Sequence, residues 1–502
     1  MGKASFACLL ESGDPDSPAI VCPGERSISY GTLADEVDSL ASGLRALGVL
    51  PGDRVAFVLP NGPEAVEVLL AVGSLGAAAA PLNPALTQSE LSFYLAEISP
   101  QHVLLPSGLN AEARGAAPAG AQVIDVETGL DSGPDLCSRG KVVKPEVRAH
   151  EASPDDVALL LHTSGTTSLP KQVPLLHRNL TASASHIADH YDLGGEDVSY
   201  CAMPLFHVHG LVASAFATLI SGGTVVVPRR VGPRQFWEDL LVHGATWFSA
   251  APTLLHMLLK GRPADLRARR PGLRFVRTCS SPLRIELHAE AEAALDVPVL
   301  QAYGMTEASH QISSNPLPPG DRLAGSVGVP TGTEVRVVDD RGRDVAAGAS
   351  GEVVIRGPGV MPGYSSSAAN ADSFVDGWFR TGDIGRMSAD HLLLEGRIKE
   401  LIIRGGENVS PYEVENVLLG HPAIVDALCF GLPDEKYGEE VAVAVCLRAD
   451  LDERDLIGYC REHLAPFKVP KIVRIVQTIP RTATGKPQRK ALAASVAAEL
   501  RT

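Results

Sequence analysis

Apolar positions along this chain follow two alternating rhythms. Ser27-Ile28-Ser29-Tyr30 alternates polar and apolar residues as a short strand does. Leu33, Val37, Leu40, Leu44 and Leu47 then fall on one helical face, with Gly31 and Thr32 at its start and Gly48 as its stop. Pro51-Gly52-Asp53 turns the chain into an apolar strand over residues 55–59. Thr87 and Glu90 have the spacing of a reciprocal helix cap ahead of Leu91 and Leu95. Residues 224–228 and 273–278 read as buried strands, with a helix around Phe236, Trp237, Leu240 and Leu241 between them. This alternation predicts an α/β architecture.

The rhythm changes twice more. Residues 106–154 are rich in Gly, Ala and Pro and are expected to be irregular and peripheral. From 325 to 396 short strands separated by Gly and Asp turns predict a β-rich subdomain. A boundary falls at Gly396-Arg397, giving a large unit over 1–396 and a small α+β unit over 397–502. Within the small unit, Ser410-Pro411-Tyr412-Glu413 predicts a helix start with Ser410 as cap and Glu413 closing the box. Residues 441–445 predict a strand there.

Composition narrows the class. With 502 residues, 45% hydrophobic and 21% charged, the chain reads as an ordinary soluble globular protein of more than one domain. A net charge of −15 disfavours nonspecific nucleic-acid binding, so an acidic substrate must be held by local cations. Eight cysteines without a C-x-x-C pair fit a reducing, cytoplasmic setting and no zinc or disulfide framework. The apolar run 65–80 is interrupted by Glu67, Gly73 and Gly76, which predicts a buried helix and no membrane insertion. Phe6 stands where a myristoylation signal needs Ser or Thr.

Candidate chemistry is concentrated in a few segments. Thr163, Ser164, Gly165, Thr166 and Thr167 are consecutive small residues that offer hydroxyls and amides to an oxyanion, and Lys171 adds a cation. The run does not match the Walker A pattern. Tyr303-Gly304-Met305-Thr306-Glu307 brings together an aromatic, a hydroxyl and a carboxylate suited to adenine, phosphate and Mg²⁺. Trp378-Phe379-Arg380-Thr381-Gly382-Asp383 places a carboxylate on a tight turn, suited to a ribose diol. Pro480-Arg481-Thr482-Ala483-Thr484-Gly485-Lys486 sets a lysine on a glycine turn far along the chain.

With these motifs in this order, the chain resembles the adenylate-forming superfamily of acyl-CoA ligases, peptide-synthetase adenylation domains and luciferases. Pro204-Leu205-Phe206-His207-Val208-His209-Gly210-Leu211 and the segment Met305-Thr306-Glu307-Ala308-Ser309-His310-Gln311 make it most similar to oxalate–CoA ligase-like enzymes. The resemblance implies the adenylate-forming enzyme fold, in which the small C-terminal domain is mobile. It implies an AMP-forming acid–CoA ligase using ATP, Mg²⁺ and coenzyme A, first making an acyl-adenylate and then a thioester. It assigns the 163–167 run and Lys171 to phosphate, Tyr303 to adenine, Thr306 to the α-phosphate and Glu307 to the metal. Asp383 and Arg397 would hold ribose, and Lys486 would stabilise the charge that builds during adenylation. Lys399 would be the hinge, and the Gly405-Gly406 turn would line the pantetheine tunnel after rotation. His207 is expected to gate the acyl pocket. His209, Ser281, Gly304 and His310 are expected to line it, with His310 carrying charge or a hydrogen bond to a polar acid.

Departures from the pattern keep alternatives open. Gln172 and Ser168 replace common glycines, and a glutamine beside the phosphates could crowd ATP. That would leave a weakly adenylating homologue that mainly turns a preformed acyl-adenylate into a thioester. The small residues Ala302, Gly304, Ala308 and Ser309 could also admit a bulky acid. A nucleotide-binding protein without catalysis is opposed by the intact set Glu307, Asp383, Arg397 and Lys486. No carrier segment follows Thr502, so a freestanding ligase using soluble CoA is expected. A carrier-protein acceptor and a homodimer both stay open.

Overall fold

The computed structural model describes residues 5–108, 111–127, 133–138, 141–142, 152–163, 170–269, 272–481 and 487–500. Two large sheets form its body. In the nine-stranded sheet, Val299–Met305, Phe275–Thr278, Trp247–Ala250, Val198–Tyr200, Thr224–Val226 and Pro18–Val21 run parallel in that spatial order. Antiparallel strands His310–Ser314 and Ser27–Ser29 flank them on either side. The eight-stranded sheet is built on Val157–Thr163, Ala78–Pro81, Arg54–Phe57 and His102–Pro106. Its edge is extended by Gln122–Glu127, Asp135–Ser138 and Lys141–Val142. The 106–154 stretch therefore supplies the outer strands of this sheet, where a polar, Gly-rich composition had suggested only irregular chain; Lys141–Val142 is the edge strand, with a single neighbour.

Helix starts follow the local rules. The helix Tyr30–Ala46 is capped by the Ser29 hydroxyl, which accepts from the Thr32 amide, and buries Leu33, Val37, Leu40 and Leu44. The helix Gln88–Ile98 carries the full reciprocal cap between Thr87 and Glu90. Pro63–Ser74 is buried along its length, Glu64 and Glu67 included.

A five-stranded antiparallel sheet follows, centred on Gly351–Arg356 and Trp378–Ser388, with His391–Arg397 paired to the latter. The chain leaves that sheet after Arg397, makes a 3₁₀ turn at Ile398–Glu400, and enters another sheet at Ile402–Arg404. That last sheet also holds Gly438–Leu447 and Ile424–Asp434, and it has its own apolar core around Ile402, Val414, Cys429, Val443 and Leu456. Its helix Pro411–Leu419 begins with Pro411 as expected, but the Ser410 side chain does not cap it. The Ser410 hydroxyl instead donates to the Glu395 carbonyl on the other side of the turn, and Glu413 pairs with Lys468 at 2.6 Å. Tertiary partners outcompeted the local cap. Among the described residues no helix is long and apolar enough to cross a membrane.

Candidate active site

Neighbouring parallel strands end side by side, and binding residues collect at such carboxyl ends. Trp247–Ala250 delivers Ser249, Phe275–Thr278 delivers Arg277, and Val299–Met305 delivers Tyr303 and runs on into Thr306 and Glu307.

Tyr303 is buried, and its hydroxyl donates to Asp383 Oδ2. Asp383 Oδ1 receives Arg397 Nε at 2.7 Å. The two charged residues are cross-strand partners between Trp378–Ser388 and His391–Arg397. The sequence had suggested a tight turn at Asp383. The structure shows a bulge, because Glu352 pairs with Ile384 while Val354 pairs with Arg380, and Gly382 takes φ +71° to allow it. A bulge of this kind turns a side chain out of the regular pleat. The Asp383 carboxylate raises the Arg397 pKa, and burial followed by Asp383 raises that of Tyr303. Asp383 keeps free lone pairs on both oxygens, so two further hydroxyls can donate to it.

Glu307 is buried in the 3₁₀ turn Thr306–Ala308, beside the half-buried Thr306, and accepts from the Tyr364 hydroxyl at 2.8 Å. Lys171 Nζ lies 4.2 Å from the centre of the Tyr364 ring, a cation–π contact. Burial lowers the Lys171 pKa, and the nearby charge of Lys399 lowers it further, while Glu307 opposes both. Lys171, Glu307, Tyr364 and Lys399 thus form one electrostatic group, although Lys399 itself is exposed. A single buried carboxylate with one oxygen already hydrogen-bonded fits Mg²⁺, which takes one or two carboxylates and fills its shell with water and phosphate oxygens.

Lys171 and Gln172 are adjacent on Lys171–Leu176, opposite Thr163 and His162 of Val157–Thr163, so their side chains point to opposite faces. Gln172 Nε2 donates to the Glu97 carbonyl at 2.5 Å, at the end of Gln88–Ile98. It is turned away from Lys171. Ser164, Gly165, Thr166, Thr167 and Lys486 lie outside the described residues.

The histidines occupy a short helical segment and a strained turn. His207 precedes the turn Val208–Gly210, is half-buried, and packs its ring 4.7 Å from that of Phe206. That turn continues directly into a π-helix, Leu211–Phe216. His209 is buried, with Nδ1 2.8 Å from Ser280 Oγ and Nε2 2.7 Å from Ser249 Oγ. His310 stacks on it at 5.1 Å between ring centres and 20° between planes. Ser309 and His310 take φ +51° and +101°, conformations unfavourable for residues other than glycine, and such strain collects at functional sites. Ser280, not Ser281, holds His209, and it takes a φ of +77°, a conformation that favours glycine. Ser281 is half-buried one residue further on.

Gly304 does not open a pocket. A Cβ there would stand 1.8 Å from the His310 carbonyl oxygen, so the space a side chain would need is taken by backbone. Ala302, Ala308 and Ser309 are likewise buried against protein. Gly405 and Gly406, at φ +60° and +88°, form the exposed tip of the hairpin between Ile402–Arg404 and Glu407–Val409.

Sequence reasoning assigned no role to Ser249, Arg277, Gln311 or Tyr364. Arg277 had a visible signal, a cation inside a segment read as a buried strand. Tyr364 and Ser249 had none, since their partners lie 57 and 40 positions away.

The chain matches the AMP-binding enzyme family over residues 11–365 and the AMP-binding enzyme C-terminal domain over residues 413–486. It is 42% identical to an oxalate–CoA ligase of Arabidopsis thaliana over 490 residues, 95% of each chain. It is similar to the crystal structure of ATP-bound MatB from Rhodopseudomonas palustris, with TM-score 0.88, 30% identity and 99% of each chain covered. It is also similar to o-succinylbenzoate CoA synthetase (MenE) from Bacillus subtilis in complex with ATP and magnesium ion, with TM-score 0.83, 30% identity and coverage of 97% and 98%. Family match and site geometry agree that the chain belongs to the AMP-binding enzyme family and is an AMP-forming acid–CoA ligase with the adenylate-forming fold.

Proposed function

We propose that this ligase activates a small acid carrying a second carboxylate, oxalate being the simplest, and that the residues described above divide the work. Tyr303 packs against adenine, and Asp383 with Arg397 holds the ribose hydroxyls. Lys171 and the 163–167 run hold phosphate, and Thr306 reaches the α-phosphate. The acid's carboxylate oxygen attacks the α-phosphorus, the bond to pyrophosphate breaks, and Lys486 offsets the charge that grows on the α-phosphoryl oxygens. Glu307 would hold Mg²⁺, which supplies Lewis-acid charge to the phosphates when bound.

In the second half-reaction the CoA sulfur bonds to the acyl carbon, the carbon–oxygen bond to AMP breaks, and the thiol proton is released. We propose that the unit after Arg397 pivots at Lys399 between the two steps, exchanging Lys486 for the Gly405–Gly406 hairpin. The exposed hairpin tip supports this, as does the slight tie between Arg284 Nη1 and the Val425 carbonyl, 3.0 Å, which rotation would break. His207, half-buried at the rim, is proposed to gate the acyl pocket.

The observation that carries the choice of acid is Gly304. Its missing side chain is filled by His310, and the neighbouring small residues are packed, so this end of the site offers polar groups and little volume. This favours a small acid over a bulky one. Incubating the protein with Mg·ATP, CoA and a mixed acid library, with mass spectrometry of the acyl-CoA products, tests the reading. Small dicarboxylic acyl-CoA should dominate; a predominance of aryl or terpenoid thioesters would reverse it.

A further inference from the structure

Arg277 is 0% exposed. Its Nη1 donates to Ser249 Oγ at 3.1 Å and its Nη2 to Gln311 Oε1 at 2.8 Å, and Nε has no partner. No carboxylate pairs with it among the described residues. Tyr191, the phenol beside it, is pushed up by burial and stays protonated. A guanidinium does not lose its proton in a protein. A full positive charge is therefore held in the interior by neutral groups alone. Burying an ion normally costs several kcal/mol unless an opposite charge accompanies it. Elsewhere in this molecule arginines withdrawn from solvent have that partner: the half-buried Arg26 has Glu36 and Glu67, and the buried Arg489 has Glu400 and Glu415.

The charge sits against the two stacked imidazoles. Ser249 Oγ links Arg277 to His209 Nε2, and Gln311 follows His310 directly in the chain. His310 Nε2 and Ser309 Oγ are buried and also lack partners. Burial, then Arg277 and His209, hold the His310 imidazole well below the ordinary histidine range, so it stays neutral. The sequence reading allowed His310 to carry the charge; the structure moves that charge to Arg277.

We propose that Arg277 is the specificity-determining residue of the acid site, acting through the Ser249–His209 link and His310 as a permanent countercharge for the second carboxylate of the acid. The inference rests on the reading of a small diacid above and deepens it. Arg277 touches neither the reacting carboxylate nor ATP; it positions charge, and the acid completes the pair. The orphaned His310 Nε2 is the hydrogen-bonding atom offered to that carboxylate.

Oxalate and oxamate have the same shape and differ by one charge, which makes them the deciding pair. ATP–pyrophosphate exchange is measured with each, on the full chain. In wild type kcat/KM should favour oxalate. Arg277→Gln keeps a hydrogen-bonding side chain and removes the charge; it should lower kcat/KM for oxalate about 100-fold, mostly through KM, and change that for oxamate by about 3-fold or less. The KM for ATP should hold. Arg277→Lys keeps the charge and should keep the oxalate preference within about 3-fold, and it stands as the test if the Gln variant does not fold. Equal losses for both acids in Arg277→Gln, or loss of preference in Arg277→Lys, overturn the role of Arg277 while leaving the diacid reading intact. A wild type that does not favour oxalate over oxamate overturns both.

Discussion

At the proposed nucleotide end of the site buried charges meet opposite charges or donors: Asp383 has Arg397 and Tyr303, and Glu307 has Tyr364 with Lys171 beyond it. At the proposed acid end Arg277 has only neutral partners among the described residues and an orphaned Nε. The difference follows from what each end must recognise. ATP brings its own countercations, so the protein can pair its charges in advance and lose little by doing so. An acid with a second carboxylate arrives as a bare anion, and a pre-paired cation could not answer it. A built-in imbalance is thus a selectivity device, whereas a balanced pair is a positioning device.

The largest expected effect is at the balanced end. Glu307→Gln removes the carboxylate proposed for Mg²⁺ and should lower adenylation about 1000-fold. Thioester formation from a supplied acyl-adenylate should fall far less, and equal losses in both half-reactions would separate Glu307 from the phosphates.

Asp383→Ala strips the pair from one side. It leaves the Tyr303 hydroxyl buried without an acceptor and Arg397 without its carboxylate. Because Arg397 is 44% exposed at its side chain, the loss of stability should be about 2 kcal/mol, less than for a fully buried pair. A calorimetric Tm and the KM for ATP should shift together. An unchanged KM would detach Asp383 from ribose.

The pH dependence distinguishes the two sources of charge at the acid end. The His310 pKa is depressed, so below the ordinary histidine value near 6.5 the unfolded chain binds a proton that the folded chain does not. Stability is therefore fully present above about pH 6.5 and is lost as pH falls below it. The oxalate-to-oxamate ratio, in contrast, should stay flat between about pH 6 and 8, because Arg277 does not titrate. A ratio that climbs as pH drops through about 6.5 would return the charge to His310.

The smallest effect is predicted at Gln172. Its side chain faces Glu97 and not Lys171, so Gln172→Gly should alter ATP–pyrophosphate exchange by about 3-fold or less. A large gain would support phosphate crowding and the weakly adenylating alternative.

Much of the fold and part of the site could be read without coordinates. Local rules act on neighbouring residues, so the Thr87–Glu90 cap, the buried face of Tyr30–Ala46 and the change to short strands after residue 325 follow from spacing alone. Candidate motifs of closely spaced side chains are equally visible, as with Tyr303, Thr306 and Glu307.

What spacing cannot carry is which distant atoms meet and what remains unpaired when they do. Ser410 left its helix cap for Glu395, Gly304 was filled by His310, and Gln172 turned away from Lys171 by the simple alternation of a strand. The chemistry of adenylation was determined by the sequence, because its residues are adjacent in a few short segments. The charge that selects the acid was decided by tertiary structure alone. Burial and the absence of a partner are properties of a packed interior, and no single stretch of chain contains them.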